Sequence, residues 1–262
     1  MPNATTASHT VGTAEDRVDL KTMDRAALRR FVTERGAPQY RGDQLFNWIY
    51  GKGVSDFRRM SNLPKRMRRG LQRDATVEDI EIVEQQQAAD QTVKALFELP
   101  SGREAETVLI PDIDERGEAR RLTVCVSSEV GCAMGCEFCA TGRMGFRENL
   151  TPGAIFDQVW HMNEVAHERF GRPVTNIVFM GMGEPLLNYD AVLDSIRILT
   201  DEDSLNLSAQ KITVSTVGLA RRIKDLADDQ LRTNLAVSLH APDNETRSRI
   251  MPVNEAEKTS LP

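Results

Sequence analysis

The residues best placed to do chemistry are three cysteines. Cys132-Ala-Met-Gly-Cys136-Glu-Phe-Cys139 has the spacing C-x3-C-x2-C, in a glycine-bearing loop that follows a strand-like run. Three thiolates on one short loop can each hold an iron of a [4Fe–4S] cube, and soft sulfur ligands suit that chemistry. The fourth iron is then left without a protein ligand and can bind a substrate directly. The competing readings are a zinc-stabilised binding module and plain packing. Zinc wants four ligands in pairs, and no histidine lies within the loop to complete them. All four cysteines of the chain fall between Cys125 and Cys139. That crowding does not suit a disulfide framework spread across a secreted fold and points to a metal or redox site.

Other residue types are ambiguous alone. Cys125 lies outside the cluster spacing, where a free cysteine is ordinarily a small buried residue. Glu106 in a hairpin and Glu184 at a strand end read as surface carboxylates. His240 reads as a satisfied core histidine.

The elements that must position these residues follow from periodicity. Residues 1–16 form a Ser/Thr/Ala-rich tail, expected to be flexible. Asp24 caps a helix carrying Leu28 and Phe31, and Gly36 stops it. Residues 42–50, with Leu45, Phe46 and Ile49, suggest a second helix, and Leu63-Pro64 opens a third. Residues 17–76 thus read as a small basic helical domain. Residues 77–117 read as an acidic, Gln-rich linker (78–90) and a β-hairpin, 92–99 and 107–110 across Pro100-Ser101-Gly102. From 118 onward strands alternate with helices: a strand at 122–127; a helix opened by Thr151-Pro152 with Ile155, Val159 and Met162; a strand at 176–181; a helix with Val192, Ile196 and Leu199; a strand at 211–216; a helix at 219–226; and a strand at 234–240. Such alternation implies an α/β fold with a parallel sheet or barrel. Residues 118–262 hold that barrel only as far as its fourth strand, and a closed eight-unit barrel does not fit.

Composition narrows the class. The 262 residues are 40% hydrophobic with a net charge of −6, enough apolar material for a core and unlike a disordered chain. The apolar run at 177–182 is far short of the ~20 residues that span a bilayer. Residues 1–12 lack the basic-then-apolar order of a signal peptide. The expectation is a cytoplasmic enzyme without a membrane partner. Between Arg17 and Asp74 there are 15 Lys and Arg against 6 Asp and Glu, a net of +9, so the remainder carries −15. Seven bases (Arg58, Arg59, Lys65, Arg66, Arg68, Arg69 and Arg73) fall together with no acid among them. They are either a phosphate-contacting surface or a solvated helix face. Nearby Trp48, Tyr50 and Phe57, at helical spacing, read as core rather than stacking platforms.

The cysteine loop resembles the C-x3-C-x2-C signature of the radical S-adenosylmethionine (SAM) superfamily. The wider text, Arg121-Leu-Thr-Val-Cys-Val-Ser-Ser-Glu-Val-Gly-Cys132 through Cys139-Ala-Thr-Gly142, is similar to one branch of it, the RlmN/Cfr family of RNA adenine methyltransferases. Further matches are Glu106-Thr-Val-Leu-Ile-Pro111, Gly181-Met-Gly-Glu-Pro185, Val214-Ser-Thr216 and Ser238-Leu-His-Ala-Pro242. The resemblance covers about residues 20–258.

It implies an incomplete, TIM-like partial (β/α)6 barrel after a small RNA-contacting helical domain. It also implies SAM bound to the open iron of a [4Fe–4S] cluster and cleaved to a 5′-deoxyadenosyl radical. Cys132, Cys136 and Cys139 become the metal ligands. Gly183 and Glu184 contact SAM's amino end, and Ser215, Ser238, Leu239 and His240 line the rest. Glu106 is the implied proton acceptor. Cys125 helps resolve a protein–RNA covalent intermediate and can pair in a disulfide with a methyl-carrying cysteine. The implied substrates are adenosines of 23S rRNA and some tRNAs, methylated at C2, with a reducing partner such as flavodoxin and a monomeric enzyme.

The methyl-carrying cysteine of that scheme is not among the four present, and the last two βα units are missing. The sequence is therefore expected to be a fragment that does not methylate RNA as it stands. A C8-methylating relative and an RNA-binding remnant without chemistry are the alternatives.

Overall fold

A computed structural model describes residues 17–256 of the chain; the tail expected at 1–16 lies outside the described residues. Two compact units divide after Glu78.

The first unit is opened and closed by one parallel ladder, β1 (Val18–Asp19) with β2 (Ala75–Thr76). Between them, α1 (Arg25–Glu34) begins where the Asp24 carboxylate accepts the Ala27 N–H at 2.7 Å, and it buries Leu28, Phe31 and Val32. The second helix starts earlier than 42: α2 (Tyr40–Phe46) runs into a π-helical turn (Asn47–Gly51) that buries Ile49 and Tyr50. Gly42 lets α2 lie against α1, since a Cβ there would fall 2.6 Å from the Arg29 backbone. Tyr50 donates its hydroxyl to the carbonyls of Lys21 and Met23, at 2.9 and 3.0 Å. Tyr50 and Phe57 are core residues, whereas Trp48 is half-buried with its indole N–H on Asn62. The third helix, α3 (Lys65–Asp74), buries only Leu71.

The second unit is built on a seven-stranded sheet. Its antiparallel part is β3 (Glu81–Gln87), β4 (Val93–Glu98) and β5 (Glu104–Ile113), and β5 continues antiparallel onto β6 (Ala119–Cys125). Next come two short strands, β7 (Glu129–Val130) and β8 (Glu148–Asn149), which pair with each other. The sheet then resumes with β9 (Asn176–Phe179), β10 (Ile212–Thr216) and β11 (Asn234–Val237), in the order β11-β10-β9-β6-β5-β4-β3. β6, β9, β10 and β11 are parallel. The long crossover helices are α5 (Pro152–Phe170), α6 (Tyr189–Thr200) and α7 (Ala220–Asp228), with α4 (Ala140–Met144) preceding them in the cysteine loop. Two short helices, α8 (Asn244–Ile250) and α9 (Val253–Ala256), follow β11.

Two expectations are corrected. The stretch expected as an acidic linker at 78–90 is largely β3. As an edge strand exposed on nearly every residue, it needs no apolar alternation, so periodicity missed it. The strand expected at 234–240 ends at Val237, because His240 adopts a left-handed φ of +57°. Otherwise β6, β9 and β10 and their helices lie as their periodicity requires, whereas β11, at the edge of the sheet, leaves Leu235 and Val237 exposed. Thr151 caps α5 and Pro152 occupies its first turn. Leu122 and Val124, Ile177 and Phe179, and Ile212 and Val214 are buried. Cys125, Val178, Thr213 and Ser215 occupy the opposite, half-buried face. Among the described residues no helix is long and apolar enough to cross a membrane.

Candidate active site

The cysteine loop leaves the sheet through Ser127, whose backbone is captured by a side chain. The Gln158 amide of α5 accepts the Ser127 N–H at 2.8 Å and donates to its carbonyl at 3.0 Å. It thereby acts as one rung of a strand that is not there. The Ser127 hydroxyl donates to the Glu106 carbonyl at 2.6 Å and accepts the Met182 N–H at 2.9 Å. Asn188 donates to the carbonyls of Ser128 and Leu150, both at 2.8 Å. β7 and β8 then close the loop, and Arg147 N–H adds a bond to Val130 O at 2.9 Å. At that closure a Cβ on Gly131 (φ +73°) would lie 1.8 Å from the Gly145 carbonyl oxygen, so only glycine fits.

Within the loop, Cys132 and Cys136 are buried, Cys139 is half-buried, and all three thiols are free. Cys139 N–H bonds to Cys136 O at 3.1 Å, and Glu137 N–H to Ile250 O at 3.0 Å. Burial pushes the Cys132 thiol up to about 11 and raises Cys136 as well, with neighbouring thiols and carboxylates adding. Such thiols ionise when a metal centre supplies the compensating charge. Among the described residues no three His, Cys, Asp or Glu side chains stand together around one metal ion. A cube asks one thiolate for each of three separate irons, and three soft thiolates on one short loop are the donors it takes. The donor set therefore fits the [4Fe–4S] cluster.

The strand ends form the facing wall. Gly183 takes a φ of +100°, and a Cβ there would strike Glu129 at 2.6 Å. The glycine is thus required by a packed carboxylate. Glu184 is 2% exposed; its Oε1 accepts the Leu186 N–H at 3.1 Å and its Oε2 the Val217 N–H at 2.8 Å. Its carboxylate ties the end of β9 to the end of β10. Glu129 accepts the Glu184 N–H at 3.0 Å through Oε2, while its buried Oε1 has no protein partner. Burial, with Glu184 close by, pushes Glu129 up to about 7. Ser215 and Ser238 meet, hydroxyl to hydroxyl, at 3.4 Å. Leu239 and His240 are exposed. His240 is therefore no core histidine: its ring lies 4.7 Å from that of Phe138 in the cysteine loop. Beneath them, buried Arg247 of α8 donates to Val217 O at 2.6 Å, to Leu239 O at 3.3 Å and to the Asn254 side chain.

Glu106, exposed, and Cys125, half-buried, share one face of the sheet. Cys125 pairs in register with Val108, so Glu106, two residues along β5, is its diagonal neighbour at roughly 7–8 Å. No hydrogen bond joins them among the described residues. Glu106 instead pairs with Lys94 at 2.9 Å, and burial raises the Cys125 thiol. Sequence reasoning missed Lys94, Glu129, Gln158, Asn188 and Arg247. Gln158 alone left a signal, as a polar residue beside Ile155 and Val159 on the apolar stripe of α5.

A parallel β/α sheet with three cysteines after its first strand and Gly-Glu-Pro after its second defines a radical SAM enzyme. Residues 126–259 match the Radical SAM superfamily. Residues 18–77 match the family described as Ribosomal RNA large subunit methyltransferase N-terminal domain. The chain is 94% identical, over its whole length, to a probable dual-specificity RNA methyltransferase RlmN of Salinibacter ruber and spans 71% of that protein. A protein of the same description from Christiangramia forsetii is 38% identical over 93% of the chain, which spans 68% of it. A radical SAM methyltransferase from Sphaerobacter thermophilus, 42% identical, superposes with a TM-score of 0.79 over 91% of this chain and 68% of its own. The chain belongs to the RlmN family of radical SAM RNA methyltransferases.

Proposed function

We propose that this chain carries the cofactor-binding and RNA-binding parts of an enzyme that methylates C2 of adenosine in 23S rRNA and in tRNA. The observation that carries the reading is that the cysteine loop, Gly183–Glu184 and the Ser215–Ser238 pair gather at the carboxyl ends of neighbouring parallel strands, where barrel chemistry is done. A bound [4Fe–4S] cluster with SAM supplies a one-electron route to a carbon-centred radical. The protein holds and orients. Cys132, Cys136 and Cys139 provide the thiolates. The Glu184 carboxylate accepts two backbone N–H groups and a side-chain bond from Thr216, which leaves one of its roughly four lone-pair positions for an ammonium beside Gly183. Ser215, Ser238, Leu239 and His240 line the remaining wall. Glu106, paired with Lys94, accepts the proton released from the methylated ring carbon. Cys125, on the same sheet face, serves as the thiol that resolves the protein–RNA adduct. The methyl-carrying cysteine is not one of the four cysteines of this sequence.

The exposed bases of the first unit suit an RNA partner. A flavodoxin-type reductant, a monomeric state and a cytoplasmic site of action complete the proposal.

Mass spectrometry of total RNA from cells with the gene intact and disrupted tests it. Loss of 2-methyladenosine from 23S rRNA and tRNA is expected. Loss of 8-methyladenosine instead would establish the C8 reading, and unchanged RNA would leave an RNA-binding remnant.

A further inference from the structure

The first unit contains a cleft of about 700 Å³ between α1, α2 and α3. Its apolar floor includes Val32, Pro64, Met67 and Leu71, and its rim carries Arg35, Arg41 and Arg66, with Arg73 paired to the single acid of the lining, Asp74, at 2.7 Å. Tyr40, at the first turn of α2, stands at the mouth 51% exposed. The Arg41 guanidinium lies 4.7 Å from the Tyr40 ring centre and is itself posted by bonds to Gln44 Oε1 (2.6 Å) and Asn62 O (2.9 Å). Arg66 has no ion-pair partner among the described residues, and Arg66, Gly70 and Arg73 share one face of α3 by their spacing.

Gly70 makes the cleft hard to explain as idle surface. A glycine inside a helix is about 1 kcal/mol less favourable than alanine. Yet a Cβ at Gly70 would meet nothing within 4 Å, so no packing contact requires the glycine. What it does is leave the floor of the cleft open.

We infer that this cleft receives one unstacked nucleotide of a single-stranded RNA segment, its base laid on Tyr40 and its phosphates on the arginine rim. An apolar floor, one exposed aromatic face and flanking guanidinium groups are the chemistry of base stacking with backbone neutralisation. A paired duplex presents no free base face to Tyr40. An acidic peptide would use the rim and leave both the ring and the open floor without a function. The inference rests on the RNA reading above and locates a contact distinct from the strand-end site.

The test uses the whole chain and three probes: an unstructured RNA oligonucleotide carrying 2-aminopurine, a duplex RNA, and poly-glutamate. Tyr40→Ala is expected to weaken oligonucleotide binding by about 5- to 100-fold, the range of one base–aromatic stack. It should also abolish quenching of the 2-aminopurine, and Tyr40→Phe should restore both. Gly70→Leu fills the cleft while improving helix propensity, so it should cause the same loss with melting temperature unchanged or raised. Duplex affinity should not move in either variant. Single-strand affinity within twofold of the parent in both Tyr40→Ala and Gly70→Leu overturns the inference while leaving the RNA reading intact. Poly-glutamate binding that falls in parallel assigns the cleft to an acidic protein and overturns it too. A chain that binds neither RNA at low salt overturns both readings.

Discussion

The cysteine loop and the cleft of the first unit are the two places proposed to take a ligand, and they are built in opposite ways. Around the loop, polar side chains are buried and spent on backbone: Gln158 on Ser127, Asn188 on Ser128 and Leu150, Glu184 on Leu186 and Val217, Arg247 on Val217 and Leu239. In the first unit most charges are exposed, and Arg59, Lys65, Arg66 and Arg69, of which Arg66 stands at the cleft, have no ion-pair partner among the described residues. Radical chemistry needs a fixed geometry and exclusion of water, and buried polar networks fix geometry. Phosphate recognition gains its energy from counterion release, for which solvated, available charges suffice.

That contrast can be broken most sharply at the cysteines. Cys132→Ala, Cys136→Ala and Cys139→Ala should each abolish cluster assembly, because a second iron loses its protein ligand. Cys125→Ala should leave cluster content unchanged. Iron and sulfide analysis after anaerobic reconstitution, with the brown visible absorption, checks all four variants. Normal iron in any of the first three would remove that residue from the ligand set.

The next largest effect belongs to Arg247. Arg247→Ala strands two loop carbonyls and the Asn254 side chain, at about 3 kcal/mol in all. Thermal unfolding should show a clear loss, whereas Arg66→Ala and Arg69→Ala should hardly register. Equal losses in the two regions would erase the distinction.

Glu129 adds a dependence on pH. Its carboxyl is raised from 4.5 to about 7, so the folded chain holds a proton that the unfolded chain has released. The stabilisation is full below pH 4.5 and is lost as pH rises to about 7, by about 2–3 kcal/mol after allowance for screening. Glu129→Gln keeps an acceptor for the Glu184 N–H and should flatten stability across that window. An unchanged slope in the metal-free chain would show that Glu129 is ionised throughout.

The smallest effect is at the surface. The double variant Arg66→Ala/Arg69→Ala should reduce the slope of log affinity for RNA against log salt by about 1–2. An unchanged slope would return these bases to a solvated face.

Legibility in the sequence divides along the same line. The parallel strands and crossover helices were readable because Leu122 and Val124, or Ile155 and Val159, repeat with the period of one buried face. The cysteine spacing was readable because residue type and order alone carry its chemistry, whereas Glu184, Ser215 and Ser238 were singled out only by resemblance to a known family. β3 was not, since a doubly exposed edge strand leaves no periodic trace. Nor were Glu129 and Arg247, whose roles exist only through backbone groups 55 and 30 residues away. Gln158, 31 residues from Ser127, left a polar mark on an apolar stripe without saying what it would meet. That resemblance pointed to Glu184, but not to its part as the latch between two strand ends.

The ladder of β1 with β2 has an evolutionary consequence. The chain enters the first unit at Val18 and leaves it at Ala75, and those two residues are partners in register. A module whose ends meet can be inserted or removed without rerouting its surroundings. Recombination can thus attach these roughly sixty residues to a different scaffold, or replace them with another module, while the second unit stays as it is.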